Sequence, residues 1–277
     1  MKIGIRGHDA KVGQIEEVVK TIKDYGFDYV QLVVNKALLD KNGNKMILNG
    51  ENAPLIAKAF KDANLNVAML GAYFNPVHSN KEKLRNTIEY FKTNLKLASL
   101  FDCKYVGTET GSYNDDKWTY NPKNHTDEAF NEVKGVFLEL LETAKKYKST
   151  ILIEPAYNHV ICNPKRLKAL LDELNDEEHV KVTIDIYNLL NNENYDNYKE
   201  IFKECLLLFK NKIKIIHLKD FVINEGKVVQ TDVGKGIVDY CYLIKLLKNI
   251  CDDVVCIFEG VKSESINYSL AFIKNLI

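Results

Sequence analysis

Short runs rich in β-branched residues alternate with longer amphipathic stretches eight times along the chain, and this alternation constrains the fold more than any other feature. In the longer stretches, apolar residues recur with the i, i+3, i+4, i+7 spacing of a helix, as in 14–25, 83–100, 128–147 and 198–210. Strands that alternate with helices pair in parallel through helical crossovers. The predicted strands are 2–7, 29–34, 66–73, 104–109, 150–155, 181–186, 213–220 and 254–260.

Eight strand–helix units in 277 residues come close to the length of a (β/α)8 barrel, which typically takes about 250 residues. The competing architecture is a doubly wound open sheet, which often has a glycine-rich first turn. The first turn here reads Arg6-Gly7-His8-Asp9-Ala10 and lacks the GxGxxG pattern of dinucleotide-binding sheets. No linker divides the sequence. We therefore predict an α/β protein with one domain, residues 1–277, folded as a single (β/α)8 TIM barrel.

The charge balance and the cysteines bear on partners and compartment. Lys and Arg number 38, as do Asp and Glu, so the chain lacks the basic excess with which nucleic-acid binders meet phosphates. The first residues are too poor in apolar content for a signal peptide, and no apolar run approaches the roughly 18 residues of a membrane span. None of the six cysteines forms a CxxC pair. We expect a cytoplasmic protein that binds neither nucleic acid nor membrane.

Each of the last four predicted strands ends in a side chain of a metal-binding type. These side chains are Glu154, Asp185, His217 and Glu259. The C-terminal ends of barrel strands form the mouth where barrel enzymes carry their active sites. Because the four strands are consecutive, we expect their tips to converge there. The alternative is four separately solvated strand ends, which is less favoured because carboxylates at buried edges usually need partners.

Three carboxylates at one mouth would repel one another and raise at least one pKa. A divalent cation removes that repulsion, since it sets two positive charges against three negative ones. Three carboxylates and one imidazole suit Mn²⁺, Mg²⁺, Co²⁺ or Zn²⁺. No cysteine lies at these tips, which argues against a structural zinc site. We therefore predict one divalent metal ion, with Glu154, Asp185, His217 and Glu259 as its ligands.

The order of these four residues on the last four strands resembles the xylose-isomerase-like superfamily of sugar isomerases and epimerases. The stretches that carry the similarity are 71–78, 107–112, 153–155, 185–190, 217–220 and 233–236. The resemblance implies a barrel with one divalent metal, and it implies Glu154 and Glu259 as the catalytic acid/base pair. The implied activity is a metal-dependent isomerase or epimerase of a sugar or sugar phosphate. Such an enzyme moves a proton next to a carbonyl, through a metal-stabilised enediolate.

Two positions depart from the pattern of ketose epimerases in that superfamily. Those enzymes usually carry a histidine where this chain has Asn188 and an arginine where it has Ile223. The superfamily also contains inosose dehydratases, dehydroshikimate dehydratases and type-IV apurinic endonucleases. A dehydratase or lyase on the same metal site is therefore the main alternative. Two weaker alternatives are a non-catalytic sugar-binding barrel and an apurinic endonuclease, which needs three metals and additional histidines. Barrels of this group often form dimers or tetramers, so a homo-oligomer is possible.

Other polar residues at the predicted mouth are candidates for contact with a carbohydrate substrate. Strand alternation places Arg6 and His8 on the face opposite Ile3 and Ile5, and it places Lys219 on the face of His217. Glu109 lies at the tip of the fourth strand, and three more candidates follow strand ends. For the charged residues the alternative is a structural ion pair, and for the loop histidines it is simple solvation. The predicted substrate-binding residues are Arg6, His8, His78, Glu109, His159, Asn188 and Lys219.

Three further features near the mouth have structural interpretations. Asp220 points away from the face of His217, so we expect it to cap a helix or support the site from outside. Gly234, Lys235 and Gly236 predict a tight turn, with phosphate binding as the alternative. Trp118 lies in the polar loop 114–126. The two interpretations of Trp118 are that it forms part of a lid or that it is a packing residue.

Overall fold

Eight parallel strands close into a barrel, as seen in a computed structural model that describes residues 1–251 and 253–277. Around the barrel each strand pairs with its neighbour in sequence, and the last strand pairs with the first. This closed parallel sheet confirms the predicted (β/α)8 barrel. The barrel strands are β1 (Lys2–Arg6), β2 (Tyr29–Leu32), β3 (Asn66–Gly71), β4 (Tyr105–Glu109), β5 (Thr150–Glu154), β6 (Val180–Asp185), β7 (Ile213–Leu218) and β10 (Val255–Phe258).

Helices lie between the barrel strands. Several begin where a side chain accepts a hydrogen bond from a free backbone N–H of the first turn, as Asn80 does from Lys83 and Thr126 from Ala129. Asn163 caps α7 in this way and Pro164 is its first residue, and such an Asn-Pro pair is a local sequence signal for the start of a helix. The helices are α1 (Gly7–Ala10), α2 (Ile15–Asp24), α3 (Val34–Ala37), α4 (Ala53–Asp62), α5 (Lys81–Leu97), α6 (Asp127–Tyr147), α7 (Pro164–Leu174), α8 (Tyr198–Phe209), α9 (Tyr240–Ile250) and α10 (Ile266–Lys274).

Short 3₁₀ turns complete the regular structure, and several of them lie in the loops at the C-terminal end of the barrel. Within the described residues, no helix is both long and apolar enough to cross a membrane. The 3₁₀ turns are Ala98–Phe101, Asp115–Lys117, Pro122–His125, Tyr187–Leu189, Tyr195–Asn197, Lys210–Lys212 and Ser263–Ser265.

A β-hairpin that the sequence periodicity does not predict follows the seventh barrel strand. It consists of β8 (Asp220–Asn224) and β9 (Lys227–Thr231), which pair antiparallel outside the barrel. The predicted strand 213–220 is therefore too long, because β7 ends at Leu218 and the chain leaves the barrel at Lys219. Apolar and β-branched residues on both sides of this exit give one continuous strand-like pattern, so periodicity alone does not reveal the break.

Two apolar regions hold the barrel together. The larger one packs the helices against the outside of the strands and includes Phe27, Phe137 and Phe258. The smaller one, which we call the apolar layer, fills the barrel interior. Gly107 on β4 makes room for it, because a Cβ there would collide with the Met69 side chain. The apolar layer consists of Ala68, Met69, Leu152, Ile215, Val255 and Ile257.

Candidate metal centre

Four metal-binding side chains meet directly above the apolar layer, at the C-terminal end of the barrel. Glu154 and Asp185 are the last residues of β5 and β6, His217 is the penultimate residue of β7, and Glu259 follows β10. The strand register sets Asp185 beside His217 and His217 beside Ile257. One ligand atom from each of the four residues lies within 4.8 Å of the others. We call Glu154, Asp185, His217 and Glu259 the ligand cluster.

The imidazole of His217 turns its Nδ1 atom toward all three carboxylates. Nδ1 lies 2.8 Å from Glu259 Oε2, 3.3 Å from Glu154 Oε1 and 3.8 Å from Asp185 Oδ2. Burial lowers the pKa of His217, but Glu259 and Glu154 outweigh it and raise that pKa to about 10. Without a cation, a proton on His217 would therefore offset part of the negative charge.

Two buried carboxylate oxygens of the ligand cluster have ion-pair contacts but no hydrogen bond of normal geometry. Asp185 Oδ2 faces Lys219 Nζ at 2.9 Å and Glu259 Oε2 faces His217 Nδ1 at 2.8 Å, and neither oxygen accepts a well-aligned hydrogen bond from the described residues. Buried carboxylate oxygens normally have a partner. Three carboxylates and one imidazole nitrogen form a donor set that suits a hard or borderline divalent cation. On both counts the residues of the cluster fit a divalent metal ion.

Lys219 places a positive charge next to the ligand cluster. Its Nζ lies 2.9 Å from Asp185 Oδ2, 3.0 Å from Glu259 Oε1 and 3.0 Å from Asn188 Oδ1. Burial lowers the pKa of Lys219, but the charges of Asp185 and Glu259 outweigh burial and raise that pKa above its usual value. The ammonium group therefore stays charged. One ammonium and one divalent cation would balance the three carboxylates, so the charge of the cluster also fits a divalent metal.

The pKa values of Asp185 and Glu259 shift in opposite directions because their surroundings differ. Burial raises the pKa of Asp185, and Lys219 opposes the shift. Burial also tends to raise the pKa of Glu259, but Lys219 and His217 outweigh burial and hold that pKa well below its usual range. Glu259 is therefore ionised at neutral pH.

Asn188 connects the cluster to the cavity above it. Its Nδ2 donates to Glu154 Oε1 at 2.8 Å, and its backbone N–H donates to Asp185 Oδ1 at 3.1 Å. Lys219 donates to its Oδ1, so the whole amide is in use. The position where ketose epimerases usually carry a histidine thus holds a residue that orients Glu154, Asp185 and Lys219.

Arg6 holds Glu259 in place from the first strand. Its Nη1 donates to Glu259 Oε1 at 2.8 Å, and its Nε and Nη2 donate to the two oxygens of Asp9 at 2.9 Å each. Asp9 also accepts the backbone N–H of Gly260 at 2.6 Å. The ion-pair alternative for Arg6 is therefore present in the structure, and sequence reasoning missed Asp9 as its partner.

A cavity of about 810 Å³ opens above the ligand cluster. This volume lies within the usual range for small-molecule sites, about 300–1,000 Å³. Five predicted substrate-binding residues and one member of the ligand cluster line it, whereas Lys219 and Glu154 lie deeper. The lining includes Arg6, His8, Glu109, His159, Asn188 and Glu259, together with Lys36, Tyr73, Trp118, Tyr157 and Tyr187, among others.

Two histidines that line this cavity each have a ring nitrogen without a hydrogen-bond partner among the described residues. Nδ1 of His8 and Nδ1 of His159 are buried without a hydrogen-bond partner among the described residues. Burial lowers the pKa of each to about 4, so both rings are neutral at pH 7. The ring of His159 packs edge-on against Trp118, and its Nδ1 lies 3.9 Å from Glu109 Oε1.

Glu109 is an acid in the cavity wall with a perturbed pKa. Burial, followed by the charges of Glu154 and Glu259, raises its pKa well above the usual value. Its Oε1 lies 3.5 Å from Asn188 Nδ2. This direction favours the protonated form of Glu109, the form in which a carboxyl group can donate a proton to a ligand.

His78 lies outside the residues that line the cavity. Its Nδ1 accepts the backbone N–H of Asn80 at 3.0 Å, and its ring faces Asp115 and Asp116 at 3.6 and 3.4 Å. The structure thus does not bring His78 together with the other predicted substrate-binding residues. Its place in the loop after β3 was visible in the sequence, but the direction of its ring was not.

Asp220 organises the loop that follows the hairpin. Its carboxylate accepts the backbone N–H groups of Phe221, Gly234, Gly236 and Val238. The N–H groups of Gly234 and Gly236 are therefore already bonded, and Lys235 pairs with Asp232. This arrangement supports the tight-turn interpretation rather than phosphate binding.

The chain is similar to solved barrel structures over nearly its whole length. The 3-keto-D-glucoside 4-epimerase YcjR from E. coli aligns with a TM-score of 0.75 at 18% identity, covering 99% of each chain. The zinc-bound IOLI protein aligns with a TM-score of 0.75 at 17% identity, covering 100% of this chain and 98% of that one. The probable 3-DHS dehydratase AsbF from Bacillus anthracis aligns with a TM-score of 0.73 at 15% identity, covering 99% of each chain. At such identities the likeness shows the fold alone.

The sequence itself identifies the family. No curated protein matches it. A family profile described as the xylose isomerase-like TIM barrel matches residues 19–276, which is most of the chain. This match agrees with the order of the ligand cluster along the last four barrel strands. The chain therefore belongs to the xylose isomerase-like TIM barrel family.

Proposed function

We propose that the protein is a divalent-metal-dependent isomerase or epimerase of a sugar or sugar phosphate. The observation that carries the proposal is the position of Glu259, which belongs to the ligand cluster and also lines the cavity. A substrate in the cavity would thus meet a metal ligand that is also an ionised carboxylate. Family membership and the epimerases among the similar structures support the same class of reaction.

Glu154, Asp185, His217 and Glu259 would hold the metal, with Mn²⁺, Mg²⁺, Co²⁺ and Zn²⁺ as candidates. When bound, a divalent cation supplies Lewis-acid stabilisation of charge that develops on substrate oxygens. The closed apolar layer below the cluster leaves the cavity as the side from which a substrate would approach.

Glu259 would take a proton from the carbon next to the substrate carbonyl, and Glu154 would return one. Arg6 donates to Glu259 Oε1 and the ammonium of Lys219 lies 3.0 Å from the same oxygen, so they keep this carboxylate ionised and fix its orientation. Asn188 fixes the orientation of Glu154 by donating to its Oε1. A positioned proton transfer contributes roughly 10²–10⁴-fold to the rate.

The remaining cavity residues would bind the sugar. His8 and His159 would use their unpaired Nδ1 atoms on substrate hydroxyls, and Glu109 would donate to a substrate oxygen. Arg6, Asn188 and Lys219 would act mainly by orienting the carboxylates that they already bind. We give His78 no role in binding because it lies away from the cavity lining.

The proposal is tested by counting metal and by following C–H exchange. We expect Mn²⁺-loaded, desalted protein to hold about one ion per chain and to exchange a substrate C–H proton in D₂O, within a panel of ketoses and ketose phosphates. Glu259→Gln should lower that exchange at least about 10²-fold. Glu142→Gln, on an exposed helix position, is the matched control and should exchange as the wild type does.

Two results would count against it. About three ions per chain, together with nicking of abasic DNA, would favour an apurinic endonuclease. No bound ion, with stabilisation by sugars but no turnover, would favour a non-catalytic sugar-binding barrel.

A dehydratase is the second candidate, and Glu109 is the observation that favours it. Loss of a hydroxyl group needs an acid to protonate the leaving oxygen, and Glu109 is a carboxylic acid facing the cavity. In that case the product is an enone with strong ultraviolet absorbance. Glu109→Gln would then suppress enone formation while leaving C–H exchange in D₂O, whereas an epimerase would form no enone at all.

A further inference from the structure

Gln31 is a polar residue in an otherwise apolar strand. It stands between Val30 and Leu32 on β2 and is fully buried, at 0% exposure. The register between β2 and β3 shifts between Val30 and Gln31. Such a bulge re-aims a side chain. Here it accompanies a glutamine that points into the barrel, toward the ligand cluster on the opposite strands.

The Gln31 amide makes one hydrogen bond on each side. Its Oε1 lies 2.7 Å from Nε2 of His217, and its Nε2 donates to the hydroxyl oxygen of Tyr73 at 2.8 Å. An amide oxygen can only accept, so Nε2 of His217 carries the proton in this contact. The lone pair of a neutral His217 is then on Nδ1, which faces the three carboxylates.

The opposite orientation of this amide would have the opposite effect. With its NH₂ group toward His217, Gln31 would require an unprotonated Nε2. A neutral imidazole would then carry its proton on Nδ1, where the metal would bind. In the observed orientation the Tyr73 hydroxyl oxygen accepts a hydrogen bond from the NH₂ group of Gln31. Burial and nearby carboxylates raise the pKa of Tyr73 well above its usual value, so its hydroxyl stays neutral.

We infer that Gln31 is a positioning residue that fixes the Nε2–H tautomer of His217 and so presents Nδ1 to a divalent cation, while Tyr73 bonds the other end of the amide. This inference rests on the metal site of the proposed function. Outer hydrogen-bond partners of ligating histidines commonly change metal affinity 10–100-fold when they are removed. Tyr73 also lines the cavity, so two hydrogen bonds through the Gln31 amide connect the cavity wall to His217.

The test compares Mn²⁺ affinity in wild type and three variants. Gln31→Met keeps the length but offers only a weakly accepting thioether, so we expect a Kd about 10–100-fold higher. Gln31→Glu keeps an acceptor for Nε2–H and should stay within a few-fold of wild type. Tyr73→Phe removes only the hydrogen bond at the NH₂ end of the amide and should raise Kd about 2–10-fold. Thr183→Val, a buried polar position in the barrel interior that bonds Met69 instead, is the matched control and should leave Kd unchanged.

A second readout reports the tautomer directly. In the Zn²⁺-loaded protein, ¹⁵N NMR should show His217 protonated at Nε2, and in Gln31→Met that proton should exchange rapidly with water. An equal Kd and an equally protected proton in Gln31→Met would overturn the inference. If Gln31→Met does not fold, the Gln31→Glu variant decides. A Kd for Mn²⁺ that is about 10-fold or more above the wild-type value in Gln31→Glu would then overturn the inference. No Mn²⁺ binding by wild type would instead overturn the proposed function, so the two failures are distinct.

Discussion

The barrel interior has two layers with opposite chemistry on the same strands. On β5, Leu152 belongs to the apolar layer, and Glu154, two residues further along, belongs to the ligand cluster. On β7, Ile215 and His217 stand in the same relation. Side chains two residues apart share a strand face, so each pair points inward at successive heights. A distance of two residues along the strand therefore separates the layer that stabilises the barrel from the layer that can perform chemistry.

The two layers also differ in what they contribute to the free energy of folding. Burial of Leu152 and Ile215 is favourable, at about 25 cal/mol per Å² of apolar surface removed from water. Burial of the carboxylates is unfavourable, and the raised pKa of Asp185 shows this. The ligand cluster persists because Arg6, Lys219 and Asn188 supply it with hydrogen bonds and charge.

Asp185→Asn should have the largest effect and should act on one layer only. An amide cannot replace the carboxylate charge, so bound Mn²⁺ should fall from about one ion per chain to nearly none. Elemental analysis after desalting measures this. The metal-free variant should keep its circular dichroism spectrum, since the apolar layer is intact. Retention of a full equivalent of Mn²⁺ would contradict the assignment of Asp185 as a ligand.

Lys219→Met should destabilise the metal-free protein by about 3–5 kcal/mol at pH 7, because it leaves buried carboxylates without their counter-ion. The free energy of unfolding in urea, measured with a chelator present, gives the value. Lys203→Met, on the exposed side of α8, is the matched control and should change stability by less than about 0.5 kcal/mol. A small loss in Lys219→Met would mean that the cluster does not need this charge.

Leu152→Ala should lower the free energy of unfolding by about 2–5 kcal/mol through the cavity that it leaves in the apolar layer. Mn²⁺ stoichiometry should remain near one at temperatures where the variant is folded. Leu207→Ala, at a side chain that is 50% exposed, should cost much less. Loss of metal in folded Leu152→Ala would show that the two layers are coupled rather than separable.

Glu139→Gln should give the smallest effect, at the protein surface. Arg85, and then Lys92, lower the pKa of Glu139 to about 2, whereas an unfolded glutamate has a pKa of about 4.3. The stabilisation is therefore complete above about pH 4.3 and is lost as pH falls toward 2. We expect Glu139→Gln to cost at most about 1 kcal/mol at pH 7, and less at pH 3, in urea unfolding. An equal cost at both pH values would show that the ion pair contributes nothing.

The local sequence pattern was sufficient to predict the barrel architecture and the grouping of the four residues at its strand ends. Strand and helix periodicities are properties of neighbouring residues, and a parallel barrel brings the C-terminal ends of its strands together whatever the details of its loops. Glu154, Asp185, His217 and Glu259 could therefore be placed in one group from their positions at the strand ends. The N-terminus of α7 was predictable for the same reason, since Asn163 and Pro164 are local signals.

Only the tertiary structure decided which side chains contact these four residues. Gln31 could have been singled out as an amide in an apolar strand, but its contact with His217 depends on barrel closure and on a register shift in β2. Arg6 meets Glu259 only because the first strand pairs with the last. His78 lies outside the cavity lining, where its ring nitrogens contact Asn80, Asp115 and Asp116. Contacts between residues distant in sequence depend on register and rotamer, and neither is encoded in a local period.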